Sequence, residues 1–180
     1  FDGALVEALA PGTDLSGAIR ADASVEVKDG AVTGTLDTRS PALTLRGVGP
    51  WAASGRGRLQ GPQFLLEALE AKGYGGRVVA GGTLAVVASA KTDVRVRAEG
   101  IDVAALAAAF TSADVPVTSR ADGSLRWATT GWDVDAGMGT GEVALLASPR
   151  AATAPAVPGL PLSGTGRLRI AGRTVALEGA

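Results

Sequence analysis

The sequence predicts a mainly β chain, an antiparallel meander forming a curved, groove-like sheet, U-shaped or partly rolled, with one short helix. Three observations predict it. Charged and apolar residues alternate with period two in several runs, Gly-containing turn signals separate those runs at short intervals, and a single Ala-rich segment carries helical spacing instead. Side chains in a strand point to opposite faces in turn, so each alternating run separates a wet face from a dry one.

Taken in order, the first run is Ser24-Val25-Glu26-Val27-Lys28, closed by Asp29-Gly30. Both turn residues tolerate the positive φ of a tight primed turn, so a hairpin is expected there. Leu43-Thr44-Leu45-Arg46 repeats the alternation ahead of a turn signal at Gly49-Pro50. Further turn signals stand at Gly61-Pro62, Gly75-Gly76 and Gly81-Gly82. The cleanest alternation is Asp93-Val94-Arg95-Val96-Arg97-Ala98-Glu99, where every second residue is charged. Residues 101–110 form the one helical segment, with Asp102 placed to cap a helix over Val103 to Phe110. Asp122-Gly123 then reads as a turn before Ser124-Leu125-Arg126-Trp127, and Gly172 as a turn after Arg167-Leu168-Arg169-Ile170. Between these lies a Pro-rich surface loop over 149–162. Nothing in this layout demands a second domain, and 1–180 reads as a single β domain.

Of the 180 residues 46 % are apolar but only 4 % aromatic, so the dry face must be built from small aliphatic side chains. Seventeen Lys and Arg against eighteen Asp and Glu leave a net charge of −1 without blocks of one sign, which gives no footprint for nucleic acid. Neither cysteine nor histidine is present. Disulfides, thiolate metal sites, and the commonest general base and metal ligand are therefore excluded. The longest mainly apolar, uncharged stretch, Val103 to Ser112, falls far short of the ~20 residues a spanning helix needs. The chain opens on Phe1 with no Met and no signal peptide, and reads as a fragment of a longer chain.

A Gly-x-Leu/Val unit recurs at irregular intervals, as Gly34-Thr35-Leu36, Gly57-Arg58-Leu59, Gly82-Thr83-Leu84, Gly123-Ser124-Leu125, Gly141-Glu142-Val143 and Gly166-Arg167-Leu168. Ser54 to Leu59 and Ser163 to Leu168 are nearly the same word. Such hairpin repetition suggests a sheet growing along one axis. The stretch from Leu66 through Gly75-Gly76-Arg77-Val78 to Gly81-Gly82-Thr83-Leu84, followed by Val94 to Leu106 and then Gly123-Ser124-Leu125, resembles the AsmA/TamB-like superfamily. That resemblance is carried best by about Gly55 to Ala147. It implies a bridge-like lipid-transfer protein whose U-shaped sheet has an apolar concave face, anchored in the inner membrane and reaching through the periplasm. It also implies phospholipid acyl chains as partners, and outer-membrane assembly proteins reached through other parts of a longer chain.

The expected lipid-lining residues are Val25, Val27, Leu43, Leu45, Leu84, Val86, Val94, Val96, Leu125, Trp127, Leu168 and Ile170. The competing expectation is an envelope scaffold or adhesin-like module in which the same residues form a closed core. No catalytic, cofactor or metal residues are assigned. Asp133-Val134-Asp135 would set two carboxylates about 6.6 Å apart on one side of a strand, yet no third acid stands near, and a solvated face is expected. Ser89-Ala90-Lys91 lacks an oxyanion signature and is read as surface. Gly73 to Gly76 and Gly137 to Gly141 fit no phosphate loop and are read as turns or bulges. Trp51, Trp127 and Trp132 are too few for the girdles of a membrane barrel and are expected at the sheet ends.

Overall fold

A computed structural model of the protein describes residues 15–45, 47–110, 116–131, 133, 135–148 and 159–179. They form one antiparallel sheet of eleven strands that does not close on itself. The strands are β1 (Leu15–Ser16), β2 (Arg20–Lys28), β3 (Ala31–Leu45), β4 (Val48–Gln60), β5 (Gln63–Gly73), β6 (Gly76–Ala85), β7 (Lys91–Asp102), β8 (Ser119–Thr130), β9 (Met138–Ala147), β10 (Gly164–Ala171) and β11 (Thr174–Gly179). From β3 to β11 each strand pairs with the next, and β1 and β2 both lie along the free side of β3. The expected meander is therefore present.

The Asp29-Gly30 hairpin is present, with φ of 51° and 78° at the two residues. Tyr74 and Gly75 make the same positive-φ turn between β5 and β6. Three other expected turns are not turns. Gly49-Pro50 lies just inside β4, Gly81-Gly82 in the middle of β6, and Asp122-Gly123 within β8. At Gly82, with φ 143°, a side chain would press into the Asp93 carbonyl of the adjoining strand, so glycine is there for close backbone approach and not for chain reversal.

The helical segment is shorter than expected: α1 spans Val103–Ala107, and Ile101 and Asp102 still belong to β7. Asp102 caps it, its carboxylate accepting from the Ala105 amide at 3.0 Å. Beyond Ala107 the chain tightens, Phe110 N–H donating to the Ala107 carbonyl at 2.9 Å, which ends the helix. Most of the Pro-rich loop lies outside the described residues, but its last part returns against the sheet. There Val117 and Leu160 form a parallel bridge, and Leu160 N–H donates to the Pro116 carbonyl at 2.7 Å.

A single layer has little interior. Among the described residues only Ala85 and Ile101 are buried hydrophobics. Backbone pairing between neighbours carries the architecture instead, and the turns along one rim extend it. Gly61 N–H donates to Val32, Val86 N–H to Pro62, Gly131 N–H to Ala90 and Gly172 N–H to Gly137, at 2.7–3.2 Å. Each hairpin end is thereby tied to the next.

Candidate functional site: an uncharged sheet face

Opposed residues on neighbouring strands share a face, so the strand registers assign every side chain to one of two sides. Leu69 opposes Ala80, which opposes Val96; Val96 opposes Leu125, and Leu125 opposes Gly141. Gly141 opposes Leu168, which opposes Leu177 on the last strand. In the other direction Leu69 opposes Gly55, then Thr38, then Ala21 on β2. This row thus crosses ten strands without a charge. The row one residue away, from Arg20 and Arg39 through Arg97 and Glu142 to Arg167 and Glu178, lies on the other side.

Extending the registers over β2 to β11 places every paired Lys, Arg, Asp and Glu of these strands on that second side, and Glu67, in the β5 bulge, joins them there through Arg56 and Arg58. The first side carries aliphatic residues, Gly, a few hydroxyls and the aromatics Trp51, Phe64 and Trp127. Ten strands spaced about 4.8 Å apart make it roughly 43 Å wide, and over a strand length of about 20 Å that is on the order of 900 Å², above the few hundred Å² of contiguous apolar surface a monomer ordinarily exposes. No second layer covers it among the described residues, and the sheet does not close on itself. Its ends are the barest parts, with Val25 and Val27 on β2 at 64 % and 69 % exposure and Val175 and Leu177 on β11 at 63 % and 64 %.

Of the twelve residues expected to line it, ten stand on this face: Val25, Val27, Leu43, Leu84, Val94, Val96, Leu125, Trp127, Leu168 and Ile170. Val86 does not; β6 ends at Ala85, and Val86 sits exposed in the following turn, its amide bonded to Pro62. Leu45 lies at the very end of β3, past two register shifts, paired with Val48 and Leu15.

The six Gly-x-Leu/Val units explain themselves on this face, because in each unit both the glycine and the aliphatic residue lie on it. Gly57 is flanked by Leu36 and Leu66 and lies beneath the Phe64 ring; Gly141 is flanked by Leu125 and Leu168. Large side chains lean over small neighbours, so the face is apolar yet shallow. Its hydroxyls are turned inward to backbone: Thr38 to Gly55, Thr92 to Gly131, Thr129 to Asp133 and Ser119 to Leu162. Ser40 is the exception, its buried oxygen having no partner. Trp51, near the start of the interior strand β4 and so not at either edge strand, stands edge-on to Tyr74 at 5.0 Å, while the Tyr74 hydroxyl donates to the Gly49 carbonyl at 2.7 Å. Trp132 lies outside the described residues.

The charged face is held by exposed ion pairs. Arg126 grips Asp93 with two bonds of 3.0 and 2.5 Å, which holds the Asp93 carboxyl below its ordinary range and raises the guanidinium. Arg77 with Glu99 repeats the arrangement on this face, and Arg173 with Asp135 repeats it between the β10–β11 turn and the β8–β9 connection. The hollows of the surface lie on this side, between rows of long side chains. One of about 560 Å³ has Arg97, Ser124 and Glu142 on one wall and Glu99, Asp122 and Thr165 on the other. The apolar side is an open strip and not a pocket.

No family model matches the chain, and no curated protein or solved structure matches it either. Function must therefore be read from the face itself. Asp133 and Asp135 lie in the β8–β9 connection and not on a strand, contrary to expectation. The Asp133 carboxylate accepts from the amides of Asp135 and Ala136, and the Asp135 carboxylate is taken by Arg173. Ser89 lies in the β6–β7 turn while Lys91 opens β7. No group of three or more potential metal-ligating side chains occurs among the described residues, and no described helix is long and apolar enough to cross a membrane.

Proposed function

We propose that this chain is a non-catalytic segment of a bacterial envelope protein of the AsmA/TamB-like kind, whose uncharged face shields phospholipid acyl chains from water during their transfer between the inner and outer membranes. The observation that carries the reading is the ten-strand face without a single charged side chain. A methylene leaving water for such a surface gains about 0.8 kcal/mol, and no buried charge interrupts the strip. An acyl chain moving from one cross-strand row to the next therefore keeps nearly the same apolar contact throughout. Movement is diffusive, and no bond is made or broken. The Gly and Ala positions suit this use, since they let a chain lie close to the backbone between the flanking Leu and Val side chains. In this reading the protein works in the periplasm, its longer form anchored in the inner membrane, with outer-membrane assembly proteins met by other parts of that form.

Native mass spectrometry of the purified protein tests it. Bound phospholipid is expected, and it is expected to be lost when Val96→Asp and Leu125→Asp place carboxylates in the middle of the face. Arg95→Gln, one residue away on the opposite side, is expected to leave it in place. A folded protein that takes up no phospholipid, or equal uptake by the Asp variants, overturns the proposal.

A further inference from the structure

Among the described residues the sheet has two free edges, and they are not alike. β11 is six residues long with one charge, Glu178, whereas β2 runs nine residues in unbroken register with β3 from Arg20 to Lys28. Among the described residues no strand pairs with the outer side of β2. Natural edges are usually blunted by proline, by a bulge or by a charge turned to the apolar side. β2 has none of these: it contains no Pro, its register shows no shift, and its apolar-side residues are Ala21, Ala23, Val25 and Val27. From Asp22 to Lys28 it is exposed throughout.

Its charge order decides what it can pair with. In a two-fold antiparallel pairing with a second copy, each residue meets one equally far from the axis on the other side. An axis through Ser24 sets Asp22 against Glu26 and Arg20 against Lys28, like charges directly opposite, which is unfavourable. With the axis through Val25, Asp22 of each copy meets Lys28 of the other, Ser24 meets Glu26, and Ala23 meets Val27. This register covers both bare valines and makes two opposite-charge pairs. The axis through Ala23 also makes two opposite-charge pairs, Arg20 with Glu26, but it leaves Val27 and Lys28 beyond the paired segment.

We propose that β2 is a self-pairing edge, and that two copies of this chain join β2 to β2 about a two-fold axis at Val25 into one continuous sheet. The apolar faces of both copies then lie on the same side and run on across the seam. Such an isologous contact uses one patch twice and closes as a dimer. The inference stands on the edge and its charges, and does not depend on what the apolar face binds.

The chain has no cysteine, so single cysteines report the register directly. Under mild oxidation Val25→Cys is expected to give a disulfide-linked dimer in high yield. Ala23→Cys, and Leu177→Cys on the other edge, are expected to give little. Sedimentation equilibrium of the cysteine-free protein is expected to show a concentration-dependent dimer. Lys28→Asp is expected to weaken it about tenfold, and Asp22→Lys with Lys28→Asp to restore it. All these substitutions except those at 23, 25 and 177 lie on the charged side, and far-UV circular dichroism serves as a readout of an intact fold that is independent of lipid. A strictly monomeric protein, a charge-swapped pair that does not recover, or cross-linking that favours position 23 or 177 overturns the proposal.

Discussion

Thr92 and Gly131 are joined by a 2.7 Å hydrogen bond from the threonine hydroxyl to the glycine carbonyl, across 39 residues of sequence. The same oxygen accepts the Ala85 amide at 3.0 Å, so one fully buried side chain locks the end of β6 to the loop after β8. In a sheet one layer thick such rim ties replace the core contacts that a sandwich would have. Thr92→Val keeps the shape and leaves two buried backbone groups unpaired, at about 1–3 kcal/mol each. The thermal midpoint is expected to fall by roughly 4–24 °C, at about 2–4 °C per kcal/mol for a chain of this size. Thr92→Ser, which keeps the hydroxyl, is expected to lose much less; scanning calorimetry of both variants checks this.

Glycines in this protein serve two purposes that substitution separates. Gly82, with φ 143°, has the Asp93 carbonyl against it, while Gly61, with φ 55°, has open space around it. Gly82→Ala is expected to cost about 3 kcal/mol from overpacking together with backbone strain, and Gly61→Ala about 1 kcal/mol from backbone strain alone. Urea unfolding of the two variants distinguishes them, and equal midpoints would contradict the close strand approach at Gly82.

Trp127 offers a probe of the apolar face, since Val94 and Gly139 flank it there. In a protein carrying Trp51→Phe and Trp132→Phe, phospholipid brominated on its acyl chains is expected to quench the remaining fluorescence by more than half. Headgroup analogues without chains are expected to leave it unchanged. Quenching by both would place the contact with the headgroup.

The Asp93–Arg126 pair gives a pH dependence whose sign is set by the hydrogen bond. Because Asp93 titrates below its ordinary value of 3.8 when folded, its stabilising contribution is complete above that pH. It is lost as the pH falls through the lower, folded-state value. Carboxyl NMR is expected to place the Asp93 midpoint below 3.8, and Arg126→Gln to return it toward that value. An unchanged midpoint in Arg126→Gln would show that the pair does not form in solution. The group is exposed, so high salt is expected to shrink the difference.

Legibility was uneven for a physical reason. Asp93 to Glu99 announces its strand, and ten of the twelve expected lining residues stand on the apolar face, because period two is a property of a strand taken alone. Gly81-Gly82 and Asp122-Gly123 look like turns, since paired glycines and Asp-Gly ordinarily reverse the chain. At Gly82 and Gly123 the neighbouring strand comes close to where a side chain would stand, a demand that no local pattern carries. Val86 continues the alternation of Leu84 but falls past the last paired residue, a boundary fixed by the Ala85 and Thr92 hydrogen bond. The two carboxylates at 133 and 135 share a spacing with strand residues, yet the Asp133 side chain bonds its own following amides and turns the chain instead.

By itself the sequence determined that each strand has one charged and one uncharged side, because side-chain direction alternates with every residue. Only the tertiary structure decided that these sides align in phase across ten strands into one open layer. A slip of a single residue between any two neighbours would have turned a whole strand over. Register is set by hydrogen bonds and close glycine contacts between strands, and these are made by residues whose proximity exists only once the sheet has formed.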